Sequence, residues 1–247
     1  GYGQVKPILT PRYTPTCTDA CMEGLQVLSE KYQVPVQSHL SEGLDEIEWV
    51  KQLKPGLSCY GEAYDMYDLL GSRQPAVMAH VVHPNEAEYE LIKHRNVLVA
   101  HCPQSNTNAA NGVAPILQMV HDGIRVGLGT DMAGGYNLNL LRTMTDAIQA
   151  SKLRWCFTER NGDPFAKKNF LTVANAFYLA TKGGGSFFGK VGSFEPDYEF
   201  DAVVLDDAAL ADFVERPLQD RFQRILWLYT ADTVTAKFIQ GTCVYQA

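Results

Sequence analysis

Side chains that can bind metals or transfer protons follow several short apolar runs of this sequence. His39 and His80 each end such a run, and Glu42 comes three residues after His39. Asp131 follows a further run of the same kind. An imidazole can hold Zn²⁺, while a nearby carboxylate accepts a proton from metal-bound water. The series therefore favours metal-assisted hydrolysis.

Each of these residues taken alone also has an interpretation without chemistry. His39 would be a hydrogen-bonded core histidine, and Glu42 a carboxylate stabilised at a helix N-terminus. Asp131 is either an N-cap of the next helix or a metal ligand. His80 can orient a substrate or stabilise charge at the reacting carbon, whereas His101 is interpreted as structural. Only the series as a whole points to an active site.

The elements that must position these residues form an alternating pattern. Short apolar runs separated by helical segments are typical of parallel strands buried on both faces, and they predict an α/β fold. The five predicted strands lie at 7–10, 34–39, 76–80, 97–101 and 124–130. In a parallel α/β barrel, reactive residues lie at the carboxyl ends of the strands.

The helical segments have recognisable starts. Pro84 can occupy the first turn of a helix because its missing N–H costs little there. The glycines at 183–185 are expected to end the helical pattern. The predicted helices lie at 18–32, 45–50, 63–70, 84–94 and 139–153, with a further helix from about 172.

The character of the sequence changes after about residue 190. Strands are predicted at 200–206 and 241–245, which fits a small β layer following the barrel-like part. We therefore expect residues 1–190 to form part of a hydrolase barrel and residues 191–247 to belong to a small β domain.

Composition excludes some classes of function. The 247 residues carry a formal net charge of −7, which gives no general attraction to nucleic acid or an anionic membrane. No apolar run reaches the roughly 20 residues needed to cross a bilayer. Six cysteines without a paired CxxC spacing are typical of ordinary thiols in a reducing compartment, so we expect a cytoplasmic protein.

Several segments together resemble the guanine deaminase family of the amidohydrolase superfamily. The superfamily has a metal-dependent (β/α)₈ TIM barrel, and the resemblance runs from about residue 7 to the C-terminus. Among the five matching segments, TPRY and GLGTDMAGGY narrow the resemblance from the superfamily to the guanine deaminase family. The five segments are TPRY at 10–13, QSHLSE at 37–42, MAH at 78–80, HCPQSN at 101–106 and GLGTDMAGGY at 127–136.

The resemblance implies roles for individual residues. His39 and Asp131 match zinc ligands, and Asp131 also matches the residue that activates water. Glu42 resembles the proton shuttle of the family, and His80 matches a histidine that contacts the reacting centre. In this sense Glu42, His80 and Asp131 are the expected catalytic residues.

Arg12 and Tyr13 match the residues that hold the purine in this family, with His80 as a further substrate contact. A guanidinium offers a planar fork of donors to the carbonyl edge of a purine, and an aromatic ring stacks on its face. Taken alone, Arg12 would be interpreted as part of a surface salt bridge. The TPRY segment gives it the role in substrate binding.

The implied reaction is hydrolysis of a cyclic amidine C–N bond, which converts guanine to xanthine and ammonia. The expected cofactor is Zn²⁺, although Fe²⁺ also suits histidine and carboxylate ligands. A homodimer is expected from the family. Two alternatives remain: a related amidohydrolase acting on another purine, an adenosine-type nucleoside or a triazine, and a non-catalytic binding or assembly module.

The sequence departs from the family pattern in one respect. The family has a His-x-His metal motif on its first barrel strand, and no two histidines here are two residues apart. The five predicted strands correspond to barrel strands 4 to 8. We therefore expect the C-terminal portion of a longer protein, completed by an N-terminal half and with little deaminase activity alone.

Overall fold

The computed structural model describes residues 5–230 and 233–247. Its main layer is a parallel sheet with the strand order β1-β2-β3-β4. Each strand is followed by a helix, as the alternating apolar runs predicted. The strands are β1 (Val36–Leu40), β2 (Ala76–His80), β3 (Leu98–His101) and β4 (Arg125–Leu128).

The first predicted strand is reduced to a single bridge. Leu9 pairs in parallel with Val36, and its backbone exchanges hydrogen bonds with Pro35 and Gln37. Pro7 and Pro11 flank this position and have no N–H to donate, so pairing does not extend along the segment. The run therefore continues the sheet beside β1 without forming a full strand.

The expectation of two fully buried faces is wrong for β1 and β2. In both strands, buried residues alternate with half-buried ones. Val36, Ser38 and Leu40 lie on the buried face of β1, and Gln37 and His39 lie on the half-buried face. One face packs on the helical layer, while the other is only partly covered by the described residues.

Most of the helices lie at the predicted places, but those at 103–108, 116–121 and 218–228 were not predicted. Four helices begin with a side-chain cap. Thr18, Asn85, Asn139 and Thr172 each accept a hydrogen bond from a backbone N–H of the first turn. The helices are α1 (Asp19–Tyr32), α2 (Leu44–Leu53), α3 (Glu62–Asp65), α4 (Glu86–His94), α5 (Pro103–Asn108), α6 (Ile116–His121), α7 (Leu140–Arg154), α8 (Val173–Tyr178) and α9 (Leu218–Leu228).

Two helix predictions need correction. Pro84 lies before the cap residue Asn85, so it does not occupy the first turn of α4. The helix expected over 63–70 is limited to α3, because Asp68 adopts a left-handed backbone with φ 56°.

The glycines at 183–185 do not end the helical pattern. A π-helical turn, Leu179–Gly183, continues α8, and a 3₁₀ turn follows at Ser186–Phe188. A Cβ on Gly127 of β4 would lie 2.7 Å from the Cα of Gly184. These glycines therefore let helix and strand approach closely, a tertiary requirement that a local breaker rule does not detect.

A second sheet lies near the C-terminus. It has three antiparallel strands in the order β5-β6-β7. The first and last correspond to the two predicted strands, whereas β6 was not predicted. The strands are β5 (Ala202–Leu205), β6 (Val234–Ile239) and β7 (Thr242–Gln246).

The hydrophobic core lies between the parallel sheet and its helices. Leu40, Met78 and Val99 are fully buried there, together with Ile92 of α4 and Met144 of α7. Within the described part of the chain, no helix is both long and apolar enough to cross a bilayer. The parallel sheet and its core therefore form the scaffold for the residues at the strand ends.

Candidate metal centre and active site

The carboxyl ends of the parallel strands bring the predicted site residues together. His39 lies in β1, His80 ends β2, and Asp131 follows β4. The three residues offer ligand atoms that all lie within 4.8 Å of one another. Glu42 follows β1 and approaches the same group through His80.

A hydrogen bond sets the tautomer of His39. Its Nδ1 contacts the carbonyl oxygen of Arg12, an atom that can only accept a hydrogen bond. Nδ1 therefore carries the proton in the neutral ring, and Nε2 has a free lone pair. A histidine held in this way is oriented to bind a metal through Nε2.

His80 is fully buried, and only one of its ring nitrogens has a hydrogen-bond partner among the described residues. Nδ1 lies 2.8 Å from Oδ1 of Asn106, an acceptor, so Nδ1 is the donor. Nε2 lies 3.4 Å from a Glu42 oxygen and 4.0 Å from an Asp131 oxygen, without hydrogen-bond geometry. A buried polar atom without a partner costs about 1–3 kcal/mol, which a group bound beside His80 Nε2 would offset.

The backbone directs the His80 ring toward His39. Strand register pairs His80 with Leu40, so strand alternation alone would put both on the same face. The left-handed backbone of His80, with φ 75°, interrupts the alternation. The two imidazole rings consequently stack with centroids 5.2 Å apart.

The donor set fits a transition metal. Two imidazoles and one carboxylate, with the orphaned Nε2 of His80 among the candidate donor atoms, suit Zn²⁺ or Fe²⁺. His39 also has the hydrogen-bonded ring that metal-binding histidines need. The chain can therefore contribute His39 and Asp131 as metal ligands, with His80 beside them.

One hydrogen bond holds the carboxylate of Glu42, and another holds its backbone. Nδ2 of Asn111 donates to its Oε1 at 2.8 Å, which leaves Oε2 directed at His80. The backbone N–H of Glu42 donates to Oε2 of Glu46 at 3.0 Å. Burial raises the pKa of Glu46, against the effect of the backbone hydrogen bonds that it accepts. Glu42 is thus oriented to exchange a proton with a group close to His80.

The segment that carries Arg12 and Tyr13 lies against β1. Oγ of Ser38 donates to the carbonyl of Pro11 at 2.7 Å, and Tyr64 donates to the carbonyl of His39 at 2.9 Å. The Ser38 bond fixes the segment relative to β1, and the Tyr64 bond holds the backbone of β1 itself at His39.

The two side chains expected to hold the purine are accessible. The Arg12 guanidinium is exposed and lies 5.9 Å from the centroid of the Tyr13 ring. The Tyr13 ring contacts Trp49 edge to face at 6.4 Å. The pair offers a planar donor fork and an aromatic surface, the two features that a purine contact would use.

His101 and Cys102 lie beside this group without joining it. Burial lowers the pKa of His101 to about 3, so its ring is neutral near pH 7. Burial also raises the pKa of the Cys102 thiol to about 12, so it is neither a thiolate nucleophile nor a metal ligand of that kind. The structural interpretation of His101 agrees with this placement.

Sequence reasoning missed the residues that orient the site. Asn106 bonds to His80, Asn111 to Glu42 and Tyr64 to the backbone of His39. Asn106 lies in the quoted HCPQSN segment, directly after a strand end, so its position alone could have suggested a role. Nothing in the local sequence distinguishes Asn111 or Tyr64.

Four residues at the site have left-handed backbones although none is glycine. They are Ser41 with φ 46°, His80 with φ 75°, Val81 with φ 46° and Asp131 with φ 44°. Such conformations are unfavourable for side chains with a Cβ and tend to cluster at functional sites. The strained residues fall at the ends of β1, β2 and β4, where the reactive groups lie.

Known proteins resemble this chain closely. Guanine deaminase of C. acetobutylicum, solved with bound guanine in the active site, is 44% identical with a TM-score of 0.90, over 98% of this chain and 56% of that chain. Guanine deaminase of Dictyostelium discoideum is 36% identical over 96% of this chain and 52% of that protein. An adenosine deaminase of Xanthomonas campestris with bound zinc is 25% identical with a TM-score of 0.76, over 95% of this chain and 50% of that chain.

The expected resemblance to guanine deaminase and the TIM-barrel type of α/β fold are thus confirmed. The chain spans about half the length of the curated relatives it matches. Residues 2–226 match the amidohydrolase family, which shows that the chain belongs to that family.

Proposed function

We propose that the protein containing this chain hydrolyses guanine to xanthine and ammonia. The observation that carries the proposal is the grouping of His39, His80 and Asp131, with Glu42 Oε2 3.4 Å from His80 Nε2. Support for guanine comes from the similarity to a guanine deaminase solved with guanine in its active site.

We propose zinc as the metal, held by His39 and Asp131. When bound, zinc lowers the pKa of a coordinated water to about 7 and so supplies a nucleophile near neutral pH. The donor set supports this choice, and the related adenosine deaminase was solved with zinc. Fe²⁺ suits the same donors, so metal analysis must separate the two.

The other residues move protons and orient the substrate. Glu42 takes one proton from the attacking water and passes it to the ring nitrogen next to C2. Asp131 accepts the second proton from the hydroxyl group added to C2, and Glu42 relays that proton to the amino group, which leaves as ammonia. His80, with its free Nε2 between these two carboxylates, orients the reacting carbon and stabilises charge there.

Arg12 and Tyr13 hold the purine in this proposal. The hydrogen bond from Ser38 to the carbonyl of Pro11 keeps their segment against β1, next to His39. A guanidinium selects a carbonyl and ring-nitrogen edge, which guanine has and adenine lacks. This preference supports guanine over an adenine-type substrate.

We also propose the wider setting of the enzyme. A division near residue 190 is supported by the separate antiparallel sheet of β5, β6 and β7. A cytoplasmic location is supported by the six free cysteines of the described chain. The proposed homodimer and a completing N-terminal half rest on the resemblance to guanine deaminase.

The test uses the protein at its natural length, with guanine, adenine and thioadenosine as separate substrates. Ammonia release and product identity are measured, and bound metal is quantified. We expect xanthine from guanine and stoichiometric zinc. Glu42→Gln should lower kcat by about 10²–10⁴-fold while zinc stays bound, because an amide cannot shuttle the proton.

Glu48→Gln is the matched control, since its side chain lies on α2 and is 62% exposed. It should keep normal turnover. Deamination of a nucleoside without any of guanine would contradict the proposed substrate. Loss of zinc in Glu42→Gln would show that this residue supports the metal site and would remove the case for a proton shuttle.

A further inference from the structure

Glu88 is a buried carboxyl group that the proposed mechanism does not use. Only 1% of the residue is exposed, and it lies in the first turn of α4. Its Oε2 accepts a hydrogen bond from Oγ of Ser41 at 2.6 Å, and its Oε1 accepts one from the N–H of Gly61 at 2.9 Å. It therefore links α4 to the loop after β1.

Ser41 joins Glu88 to the proposed proton shuttle. Its carbonyl accepts hydrogen bonds from the N–H groups of Val82 and His83, at 3.0 and 3.1 Å. Glu42 is the next residue in the chain, so the backbone conformation of Ser41 determines where the Glu42 side chain leaves the backbone.

Packing alone does not hold Ser41 in place. A cavity of about 200 Å³ lies beside it, lined also by Tyr60, His83 and Glu88. The left-handed backbone of Ser41 adds a conformational cost that nearby contacts must offset. With space on one side, the hydrogen bond to Glu88 is the side-chain contact that fixes this residue.

We propose that Glu88 is a positioning residue, which acts through Ser41 to set the Glu42 carboxylate against His80. The expected effect on kcat rests on the proposed function. The expected position of the Glu42 carboxylate near His80 does not depend on the substrate. A displacement of about 1 Å at a reacting group can lower a rate about 10²-fold, so a contact at this distance from the reaction is sufficient.

The test compares Glu88→Leu, Glu88→Gln and Ser41→Ala in the protein at its natural length. Glu88→Leu removes both hydrogen bonds and should lower kcat for guanine about 10²-fold, with KM changed less than about 3-fold. Glu88→Gln should keep kcat within about 3-fold. Its carbonyl can accept from Gly61, and its amide can donate to the hydroxyl of Ser41.

Ser41→Ala should reproduce the loss seen in Glu88→Leu, and the double variant should be no worse than the more damaged single variant. Ser41→Ala also provides the test if Glu88→Leu does not fold. Glu90→Leu is the control, because Glu90 lies exposed on the same helix.

Crystal structures of parent and variants test the inference without turnover. In the parent, Glu42 should lie close to His80, as in the 3.4 Å contact described above, and in Glu88→Leu or Ser41→Ala it should move away. If the parent fails to deaminate guanine but Glu42 moves in the variants, only the proposed function is overturned. If Glu42 stays in place and kcat is unchanged in the variants, the positioning role is overturned.

Discussion

The two sheets of this molecule differ sharply in burial. In β1, β2 and β3 every second residue or more is buried, whereas all five residues of β7 are exposed. The proposed catalytic groups lie at the ends of the buried sheet. The difference suggests that packing of the buried face of a strand against the helices is what holds a reactive side chain in one position.

The contacts around each sheet explain the difference. Fully buried side chains of the helices, such as Ile92 and Met144, pack against the parallel sheet. The three-stranded sheet has a smaller aromatic group, in which Phe200 contacts Phe194 and Phe238. Regions with few buried apolar contacts open more readily, so we expect the second sheet to be the less stable region.

The largest effect is expected from a cavity in the buried sheet. Met78 of β2 is fully buried, and Met78→Ala should lower the free energy of unfolding by about 2–5 kcal/mol. Val244 of β7 is 49% exposed, and Val244→Ala should change it by no more than about 0.5 kcal/mol. Urea unfolding of the two variants measures both, and similar losses would remove the contrast between the sheets.

The next largest effect is the pH dependence that a buried carboxyl, Glu88, gives to the free energy of unfolding. Burial raises the pKa of Glu88 from 4.5 to about 7, and the neighbouring carboxyl of Glu46 adds to this. The folded state therefore keeps this proton more tightly than the unfolded state. The associated stability is complete below about pH 4.5 and is lost as pH rises through about 7, by up to about 3 kcal/mol.

Glu88→Gln removes this titrating group, so its unfolding free energy should fall less than that of the parent between pH 5 and pH 8. Urea unfolding at both pH values measures the difference between the two proteins. His83 and Lys51 also line the adjoining cavity and are common to both proteins, so the difference reports Glu88 together with its coupling to Glu46. Equal pH dependence in parent and variant would show that the buried carboxyl has an ordinary pKa.

A smaller effect concerns the contact of β4 with its helix. Because a Cβ on Gly127 would lie 2.7 Å from the Cα of Gly184, Gly127→Ala should destabilise by about 1–3 kcal/mol. Gly24 of α1 has no atom within 4 Å of such a Cβ, and Gly24→Ala should stabilise by about 0.5–1 kcal/mol. Thermal unfolding distinguishes the two, and equal shifts would mean that β4 can move away from the helix.

Local patterns were sufficient to predict much of the fold. The apolar run at 76–80 and the caps Asn139 and Thr172 each specify an element through neighbouring residues. Local patterns are not sufficient at 7–10, because the apolar run between Pro7 and Pro11 forms one bridge instead of a strand. The prediction that the glycines at 183–185 end the helical pattern is wrong for a different reason, because their role depends on Gly127, more than fifty residues earlier.

The site residues likewise fall into those that local patterns predict and those that they do not. His39, His80 and Asp131 were predicted because each follows an apolar run, and strand ends meet at one edge of a parallel sheet. Asn111 and Glu88 were not predicted. Each acts through a hydrogen bond to a residue far away in sequence, and no periodic pattern encodes such a pair.

The left-handed backbones of Ser41, His80 and Asp131 have a consequence for protein engineering. Substitutions that relieve strained backbone commonly raise stability, and at active sites they commonly lower activity. A library selected only for heat resistance would therefore be drawn to these positions. Its most robust members would be enriched in poor catalysts, so selection should screen turnover alongside heat resistance from the first round.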